Sequence, residues 1–190
     1  MLIRQATTKD TLSILSIYSQ YIDTPITFEY NLPTEKEFKE RIENILQVYP
    51  YLVCEDNNKI IGYCYGHKFM EREAYKWNAE LSIYLDKENR SKGVGKKLYS
   101  ALIDILKYQG IKNLYSKVTF PNIQSEKLHN HFGFKNVGIL HNVGYKCGKW
   151  HDIIIFEKNI SSYCDDPTDI IPIKEILNET ILNIIENDKQ

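Results

Sequence analysis

Apolar residues in the first third of the chain recur with the periods of helices and strands. Thr34 and Glu37 have the spacing of a capping box, which predicts the start of a helix. Asn57 and Asn58 tolerate positive φ, so a hairpin is expected to turn there. The predicted elements are, in chain order, a strand at residues 3–6, a helix at 10–22, a helix that opens at 34, and hairpin strands at 51–55 and 59–69.

The middle and later parts of the chain continue with alternating strand and helix patterns. Residues 80–85 alternate strictly, which predicts a strand with Leu81, Ile83 and Leu85 on one face. A long amphipathic run then ends at Gly110, a residue type typical of the position just after a helix. The remaining predicted elements are a helix at 95–109, a strand at 114–120, a helix at 123–132, and strands at 134–143 and 150–157.

The composition shifts after Tyr163, where the sheet-and-helix pattern ends. Apolar residues over 173–186 recur at helical spacing, which predicts an added amphipathic helix. Two roles are open for this helix: it packs on its own domain, or it contacts a partner or a second copy of the chain. The predicted organisation is one domain over residues 1–160 and a C-terminal extension over 161–190.

Charge and cysteine content narrow the class of protein. The 24 basic and 25 acidic side chains give a net charge of −1, so no overall field attracts nucleic acid or an anionic membrane. No apolar run reaches the ~18–20 residues of a membrane span, and polar residues follow the first strand where a signal peptide would be apolar. The four cysteines are scattered without metal-ligand spacing, which predicts reduced thiols, no metal and a cytoplasmic location.

The junction between the strand at 80–85 and the helix at 95–109 combines glycines with basic side chains. Glycines there leave backbone N–H groups uncovered at the positive end of a helix dipole, which favours a phosphate or pyrophosphate. A tight turn with solvated lysines is the alternative. The spacing differs from the phosphate loop of nucleoside triphosphatases, and the third glycine of the dinucleotide fingerprint is missing. The residues concerned are Arg90, Ser91, Lys92, Gly93, Val94, Gly95, Lys96 and Lys97.

This junction resembles the pantetheine-pyrophosphate turn Arg-x-x-Gly-x-Gly of the GNAT superfamily of N-acetyltransferases. The later motif Asn122-x-x-Ser125-x-x-Leu128-His129-x-x-x-Gly133-Phe134 is similar to the pattern that follows the coenzyme-binding strand in that superfamily. Many members carry tyrosine where His129 stands, and histidine is typical of the phosphinothricin and methionine-sulfone acetyltransferase branch. Similar stretches also lie at residues 24–29, 49–53, 72–77 and 144–152.

The resemblance covers residues 3–158 and implies the GNAT acyl-CoA N-acyltransferase fold. That fold is of the α/β (α+β) class, with a mixed central sheet flanked by helices on both sides. The implied co-substrate is acetyl-CoA, and no metal is expected. The resemblance also suggests a homodimer, in which loops near Phe28 complete the neighbour's site.

Glu80 and His129 are the candidate catalytic residues. Glu80 opens the strand that leads into the glycine turn, so its carboxylate is expected near the reacting end of the coenzyme and able to take a proton from an amine. A surface or salt-bridged glutamate is the alternative. His129 is the expected proton donor to the leaving thiolate, because imidazole exchanges protons near neutral pH. Its alternative is a capping or half-buried helix histidine, and the two catalytic roles are exchangeable.

The binding residues come from the resemblance. Main-chain groups of Ile83, Tyr84 and Leu85 are implied to face the pantetheine, with the side chain of Asn122 on one of its amides. The acceptor site is implied to contain Phe28, Arg72, Tyr75 and Ile153, with Arg72 as a clamp for a carboxylate or phosphinate. The expected reaction is acetyl transfer to the α-amine of a small amino-acid-like acceptor by direct attack. Its rivals are a protein or polyamine acetyltransferase, a non-catalytic acyl-CoA sensor, and an interaction protein that acts through its C-terminal helix.

Overall fold

The computed structural model describes residues 1–89 and 93–187. Over these ranges the chain forms one mixed sheet of seven strands in the order β1-β2-β3-β4-β5-β7-β6, with helices on both faces. The predicted fold class is therefore confirmed. The elements are β1 Leu2–Gln5, α1 Thr11–Ser19, α2 Glu35–Ile45, β2 Tyr51–Asp56, β3 Lys59–Lys68, β4 Asn78–Leu85, α3 Val94–Tyr108, β5 Asn113–Phe120, α4 Ile123–His131, β6 Lys135–Lys146, β7 Lys149–Asn159 and α5 Asn178–Asn187.

The β4–β5 pair differs from every other neighbouring pair in this sheet, because it is parallel and short. Its register joins Asn78 to Asn113, Ala79 to Leu114 and Glu80 to Tyr115, and it stops there. β4 continues to Leu85 without a strand partner on that side, while β3 stays paired with it on the other. The sheet therefore forks after Glu80, and the fork faces α3 and α4.

Two apolar layers pack on the two faces of the sheet. One layer centres on α3, whose Leu98, Leu102 and Leu106 are fully buried. Gly62 on β3 lets α3 lie close to the sheet, since a Cβ there would lie 3.2 Å from Val94 Cγ1 and 3.3 Å from Leu98 Cδ1. The opposite layer lies under α1 and α2 and is rich in aromatic side chains.

The first and last helices differ from the predicted ranges. α1 ends at Ser19, and turns replace the last residues of the predicted helix at 10–22. The predicted helix at 173–186 is wrong as one continuous element. The chain forms a 3-10 turn at Ile173–Glu175, becomes extended at Ile176 (ψ 131°), and only then enters α5. The break separates two short segments that reach the core from different directions.

The C-terminal segment packs on its own domain. Ile173, Ile176, Ile181 and Ile185 are buried in the same apolar layer as α3. The buried amide of Gln109 donates to the carbonyls of Val48 (2.7 Å) and Ile171 (2.6 Å), which ties this segment to α3. Of the two roles that the sequence left open, the structure thus shows packing on the domain. None of the described helices has the length and apolar content needed to cross a bilayer.

Candidate active site

Side chains close most of the open edge of β4 at the fork. Ser116 Oγ donates to the Leu81 carbonyl (3.2 Å), and the Tyr21 hydroxyl bonds both the N–H and the C=O of Leu85. Ile83 lies between these two residues, and its backbone N–H and C=O point to the same side, because alternate strand residues share their direction. Within residues 1–89 and 93–187 neither group of Ile83 has a partner. This peptide is the open hydrogen-bonding position of the fork.

A cleft of 530 Å³ runs from the fork to the N-terminus of α3. Ile83 and Leu85 form one wall, Asn122 and Leu128 form the other, and Gly93, Val94, Gly95 and Lys96 form the end. Gly93 has φ +77° with open space above it, while a Cβ on Gly95 would lie 3.3 Å from Leu85 Cδ1. The first N–H groups of a helix have no intrahelical acceptor, so this end of the cleft suits an anion. Arg90, Ser91 and Lys92, predicted for the same turn, lie outside the described residues.

A smaller recess of 70 Å³ continues from the cleft into the fork and shares Ile83, Asn122 and Ser125 with it. At its base the Tyr99 hydroxyl lies 2.9 Å from His129 Nε2 and 2.9 Å from Ser116 Oγ. His129 Nδ1 lies 2.7 Å from the Ser125 carbonyl, which can only accept, so Nδ1 carries the proton. Sequence patterns gave no signal for Tyr99 or Ser116, since either residue type is ordinary on a helix or strand.

The imidazole of His129 is 2% exposed and uncharged at neutral pH. Burial lowers its pKa to about 4, although the bond to the Ser125 carbonyl opposes that shift. In this state Nε2 accepts a hydrogen bond from the Tyr99 hydroxyl. A neutral Nε2 takes up a proton directly, and it donates one only after receiving it.

The Glu80 side chain lies on the opposite face of β4 from the cleft-lining Ile83. Lys117 Nζ donates to Glu80 Oε2 at 2.8 Å, and the Glu80 side chain is 13% exposed. This is the salt bridge that the sequence left open as an alternative to a base. His67 stands opposite Glu80 in the β3–β4 register, and its burial lowers its pKa while the carboxylate partly offsets the shift. Glu80 therefore lies beside Lys117 and His67, three residues before the open Ile83 peptide on β4.

Asn122 caps α4 and lines both the cleft and the recess. Its Oδ1 accepts from the N–H of Ser125 (3.2 Å), so the ordinary capping role is present. Its Nδ2 makes no hydrogen bond in the part of the chain that the structure describes. One side chain thus caps the helix and keeps a donor available to a ligand in the cleft.

The loop that carries Phe28 is held against the β6–β7 hairpin. The Lys146 ammonium is buried and donates to the carbonyls of Thr27 (2.6 Å) and Glu29 (2.7 Å). The Phe28 ring lies directly on Gly144, where a Cβ would come within 2.1 Å of it. Sequence reasoning assigned Lys146 no role, because nothing in the chain distinguishes a buried lysine from the solvated ones.

The four predicted acceptor residues are not all brought together. Ile153 stands opposite Thr119, whose hydroxyl donates to the Pro25 carbonyl (2.6 Å), so Ile153 lies next to the Phe28 loop. Arg72 immediately precedes the 3-10 turn before β4, and Tyr75 is the last residue of that turn. Both side chains are exposed. No side-chain bond of Arg72 exists among the described residues, so its guanidinium is available to a ligand.

Comparison with known proteins identifies the class to which this fork and cleft belong. The family described as an acetyltransferase (GNAT) domain matches residues 3–155, so the chain is a member of the GNAT family and an acetyltransferase. It is 31% identical to the phosphinothricin N-acetyltransferase of Streptomyces viridochromogenes over 83% of this chain and 86% of that one. It is 28% identical to the L-methionine sulfoximine/L-methionine sulfone acetyltransferase of Pseudomonas aeruginosa, over 90% and 98%.

A solved relative has the same architecture. The crystal structure of a phosphinothricin acetyltransferase from Sinorhizobium meliloti in complex with AcCoA superimposes with a TM-score of 0.86 at 32% identity. The match covers 90% of this chain and 96% of that one. The predicted superfamily and branch are thereby confirmed.

Proposed function

We propose that the protein transfers an acetyl group from acetyl-CoA to the α-amine of a small amino-acid-like acceptor. The observation that carries this proposal is the Ile83 peptide of β4, which has no hydrogen-bond partner among the described residues and lies where the 530 Å³ cleft meets the fork. A donor N–H at that point can polarise a thioester carbonyl and stabilise the oxyanion that forms on it. Neither family membership nor the cleft alone would explain why this one peptide is left without a partner.

The cleft has the groups needed to hold the donor. The N–H groups that open α3 would bind the pyrophosphate, with Lys96 beside them. Asn122 Nδ2 would meet a pantetheine amide, and Ile83 would meet the thioester end. Leu85 contributes its side chain to the wall, while its backbone groups are already bonded to Tyr21. Arg90, Ser91 and Lys92 stay predicted pyrophosphate ligands, and Tyr84 stays a predicted backbone contact.

Proton transfer is assigned to Glu80 and His129. Glu80 would accept the ammonium proton of the acceptor, which requires Lys117 to release Oε2 or the second carboxylate oxygen to act. The neutral Nε2 of His129 would take a proton from the attacking amine and pass it to the leaving thiolate, once the Tyr99 hydroxyl turns away from Nε2. We propose that the acceptor amine attacks the thioester directly. Glu80 and His129 provide the proton transfers, and no nucleophilic side chain of the protein is assigned.

The acceptor would lie over Glu80, between the Phe28 loop and the turn before β4. Phe28 and Ile153 would give an apolar wall, Tyr75 an aromatic edge, and Arg72 a clamp for the carboxylate. The names of the relatives support an α-amino acid with an oxidised sulfur or a phosphinate in its side chain. A protein or polyamine acceptor is the main rival on this fold.

An acceptor panel separates these possibilities. Thiol release from acetyl-CoA is measured with phosphinothricin, methionine sulfone, methionine sulfoximine, the common amino acids, spermidine and a short peptide with a free N-terminus. Turnover confined to the amino-acid-like members is expected. Turnover of spermidine or the peptide alone would overturn the assigned acceptor class. A Glu80→Gln variant that still binds acetyl-CoA but has lost turnover would exclude the non-catalytic sensor.

A homodimer and a cytoplasmic location are also proposed. The β6–β7 hairpin exposes a row of large apolar side chains, which supports a contact with a second copy. These residues are Val137, Ile139, Leu140, Val143, Tyr145 and Trp150. Sedimentation equilibrium should give about twice the mass of one chain, and Val143→Asp should reduce it to one. A wild-type protein that sediments as a single chain would contradict the dimer.

A further inference from the structure

A second cavity, of 390 Å³, lies on the face of the sheet opposite the donor cleft, beneath α2. Its floor is formed by Tyr51, Tyr63, Tyr65 and His67 of β2 and β3, and its mouth by Glu29 and Arg41. This volume falls in the range of small-molecule sites, about 300–1,000 Å³, and far exceeds the ~30 Å³ share of one water. We refer to it as the phenol cavity.

Two phenol hydroxyls on the floor have no hydrogen-bond partner among the described residues. Tyr51 and Tyr63 are 2% and 1% exposed, and their rings stack at a centroid distance of 5.8 Å. Neither oxygen is sealed in the core, since Gln109 Oε1 is the one side-chain polar atom of the described ranges that is both sealed and unpartnered. Both hydroxyls therefore meet the space of the cavity. Two hydroxyl donors that are open to one cavity and have no protein partner can both bond an oxygen of a molecule that enters it.

The walls of the phenol cavity are electrically balanced. Arg41 Nη1 lies 2.7 Å from Glu29 Oε1, and the Tyr18 hydroxyl donates to Glu29 Oε2 at 2.9 Å. The one cation and the one anion at the mouth are thus paired with each other. Burial raises the pKa of Tyr51 and Tyr63 well above the ordinary value, so both phenols stay neutral donors. An occupant with its own charge would find no free countercharge there, whereas an uncharged oxygen acceptor finds two donors.

The phenol cavity begins beside Glu80. Tyr65 stands opposite Ser82, and His67 stands opposite Glu80 in the antiparallel register of β3 and β4. Residues directly opposite in such a pair lie on the same face with Cβ atoms ~5 Å apart. The mouth residue Glu29 also adjoins Phe28, which lines the proposed acceptor site. A molecule whose amine lies at Glu80 therefore has the phenol cavity beside it on the same face of the sheet.

We infer that the phenol cavity binds the side chain of the acceptor and selects side chains that end in an uncharged oxygen acceptor. A sulfone, a sulfoximine or a carboxamide meets that description, with Tyr51 and Tyr63 as donors to its oxygens. A phosphinate carries a negative charge and is disfavoured beside Glu29. This inference rests on the proposed function, because it takes the acceptor amine to lie at Glu80.

The test compares acceptors that differ only at the end of the side chain. Tyr51→Phe, Tyr63→Phe and the double variant keep the rings and remove the hydroxyls. Thiol release is measured with methionine sulfone, with phosphinothricin, and with norleucine, which has no side-chain oxygen. Each single variant should raise KM for methionine sulfone about tenfold and leave KM for norleucine and for acetyl-CoA unchanged. Tyr49→Phe, a buried tyrosine outside the cavity, is the matched control and should change none of these values.

The outcomes separate this inference from the proposed function. Equal effects of Tyr51→Phe and Tyr63→Phe on all three acceptors, or no effect on any, would overturn the phenol cavity as the selecting site while acetyl transfer stands. A wild-type KM lower for phosphinothricin than for methionine sulfone would overturn the preference for an uncharged group. If the wild type acetylates no amino acid, calorimetry with methionine sulfone decides. If methionine sulfone binds the wild type but not the double variant, the inference is supported. If it does not bind the wild type, the inference is refuted.

Discussion

The Tyr99 hydroxyl lies 2.9 Å from His129 Nε2 and joins α3 to α4 beneath the fork of the sheet. The same oxygen lies 2.9 Å from Ser116 Oγ, so one phenol connects a helix, a strand and the buried imidazole. Because Nδ1 of His129 donates to the Ser125 carbonyl, Nε2 is the acceptor nitrogen, and the Tyr99 hydroxyl is its donor. Tyr99 is fully buried.

Replacement of Tyr99 by Phe should lower the free energy of unfolding by about 1–3 kcal/mol, because His129 Nε2 and Ser116 Oγ lose a buried partner. Urea denaturation at pH 7 measures the change. Tyr108→Phe on the exposed side of the same helix is the control and should lie within about 0.5 kcal/mol of the wild type. Equal stabilities for the two variants would show that the Tyr99 contacts contribute nothing.

Stability should fall as the pH drops from about 6.5 to about 4, with His129 as one cause. Its pKa is about 4 in the folded protein and near 6.5 in the unfolded chain, so the unfolded state binds more protons in that window. Protonation therefore favours unfolding, by about 3 kcal/mol once the pH is below both values. Urea midpoints of the wild type and His129→Gln are compared from pH 7 to pH 4.

The His129→Gln variant is expected to be less stable at pH 7 but to lose less stability over this window. Carboxylates whose pKa is lowered, such as Asp10 and Asp86, contribute the same acid loss to both proteins and cancel in the comparison. Parallel pH curves for the two proteins would contradict the assignment to His129.

Gly144→Ala should impair acceptor binding, because its Cβ would lie 2.1 Å from the Phe28 ring and must displace it. We expect KM for the acceptor to rise about tenfold or more, with KM for acetyl-CoA unchanged, since Phe28 lies outside the donor cleft. Steady-state kinetics measures both constants. Gly138→Ala in the same strand, where a Cβ meets nothing within 4 Å, should behave as the wild type.

Ile181→Ala should destabilise the protein by about 2–5 kcal/mol, because this side chain of α5 is buried against α3. Leu182→Ala, next to it but half exposed, should change stability by less than about 1 kcal/mol. Thermal unfolding compares the two variants. If both variants unfold at the wild-type temperature, α5 adds nothing to the core despite its burial.

Short-range sequence patterns predicted several local features of this fold. The capping box of Thr34 and Glu37 is present, with the Thr34 N–H donating to Glu37 Oε2 at 2.8 Å. Asn57 and Asn58 both adopt positive φ at the hairpin, as expected. These features depend on residues close in sequence, so residue type and spacing were enough to locate them. The arrangement of the elements as a mixed sheet with helices on both sides came only from the family resemblance.

What escaped prediction depends on contacts between distant segments. The buried ammonium of Lys146 bonds carbonyls more than a hundred residues earlier, and nothing near it in the chain marks it. The break at Ile176 arises because two flanking segments reach the core separately, while their apolar spacing still fits one helix. The sequence placed Glu80 on the strand that leads into the glycine turn, but its pairing with Lys117 on β5 became visible only in the tertiary structure.

The bond between Tyr21 and Leu85 has a consequence for the size of the transferred group. With Leu85 and Leu81 both bonded to side chains, a pantetheine arm can pair with β4 only at Ile83. In the proposed complex that single hydrogen-bonding position would fix how far the arm extends, and so the depth of the thioester. The recess beside it measures 70 Å³, which would admit the methyl of an acetyl group but not a long fatty tail. Tyr21, in the turn after α1, would thus limit acyl length without touching the acyl group.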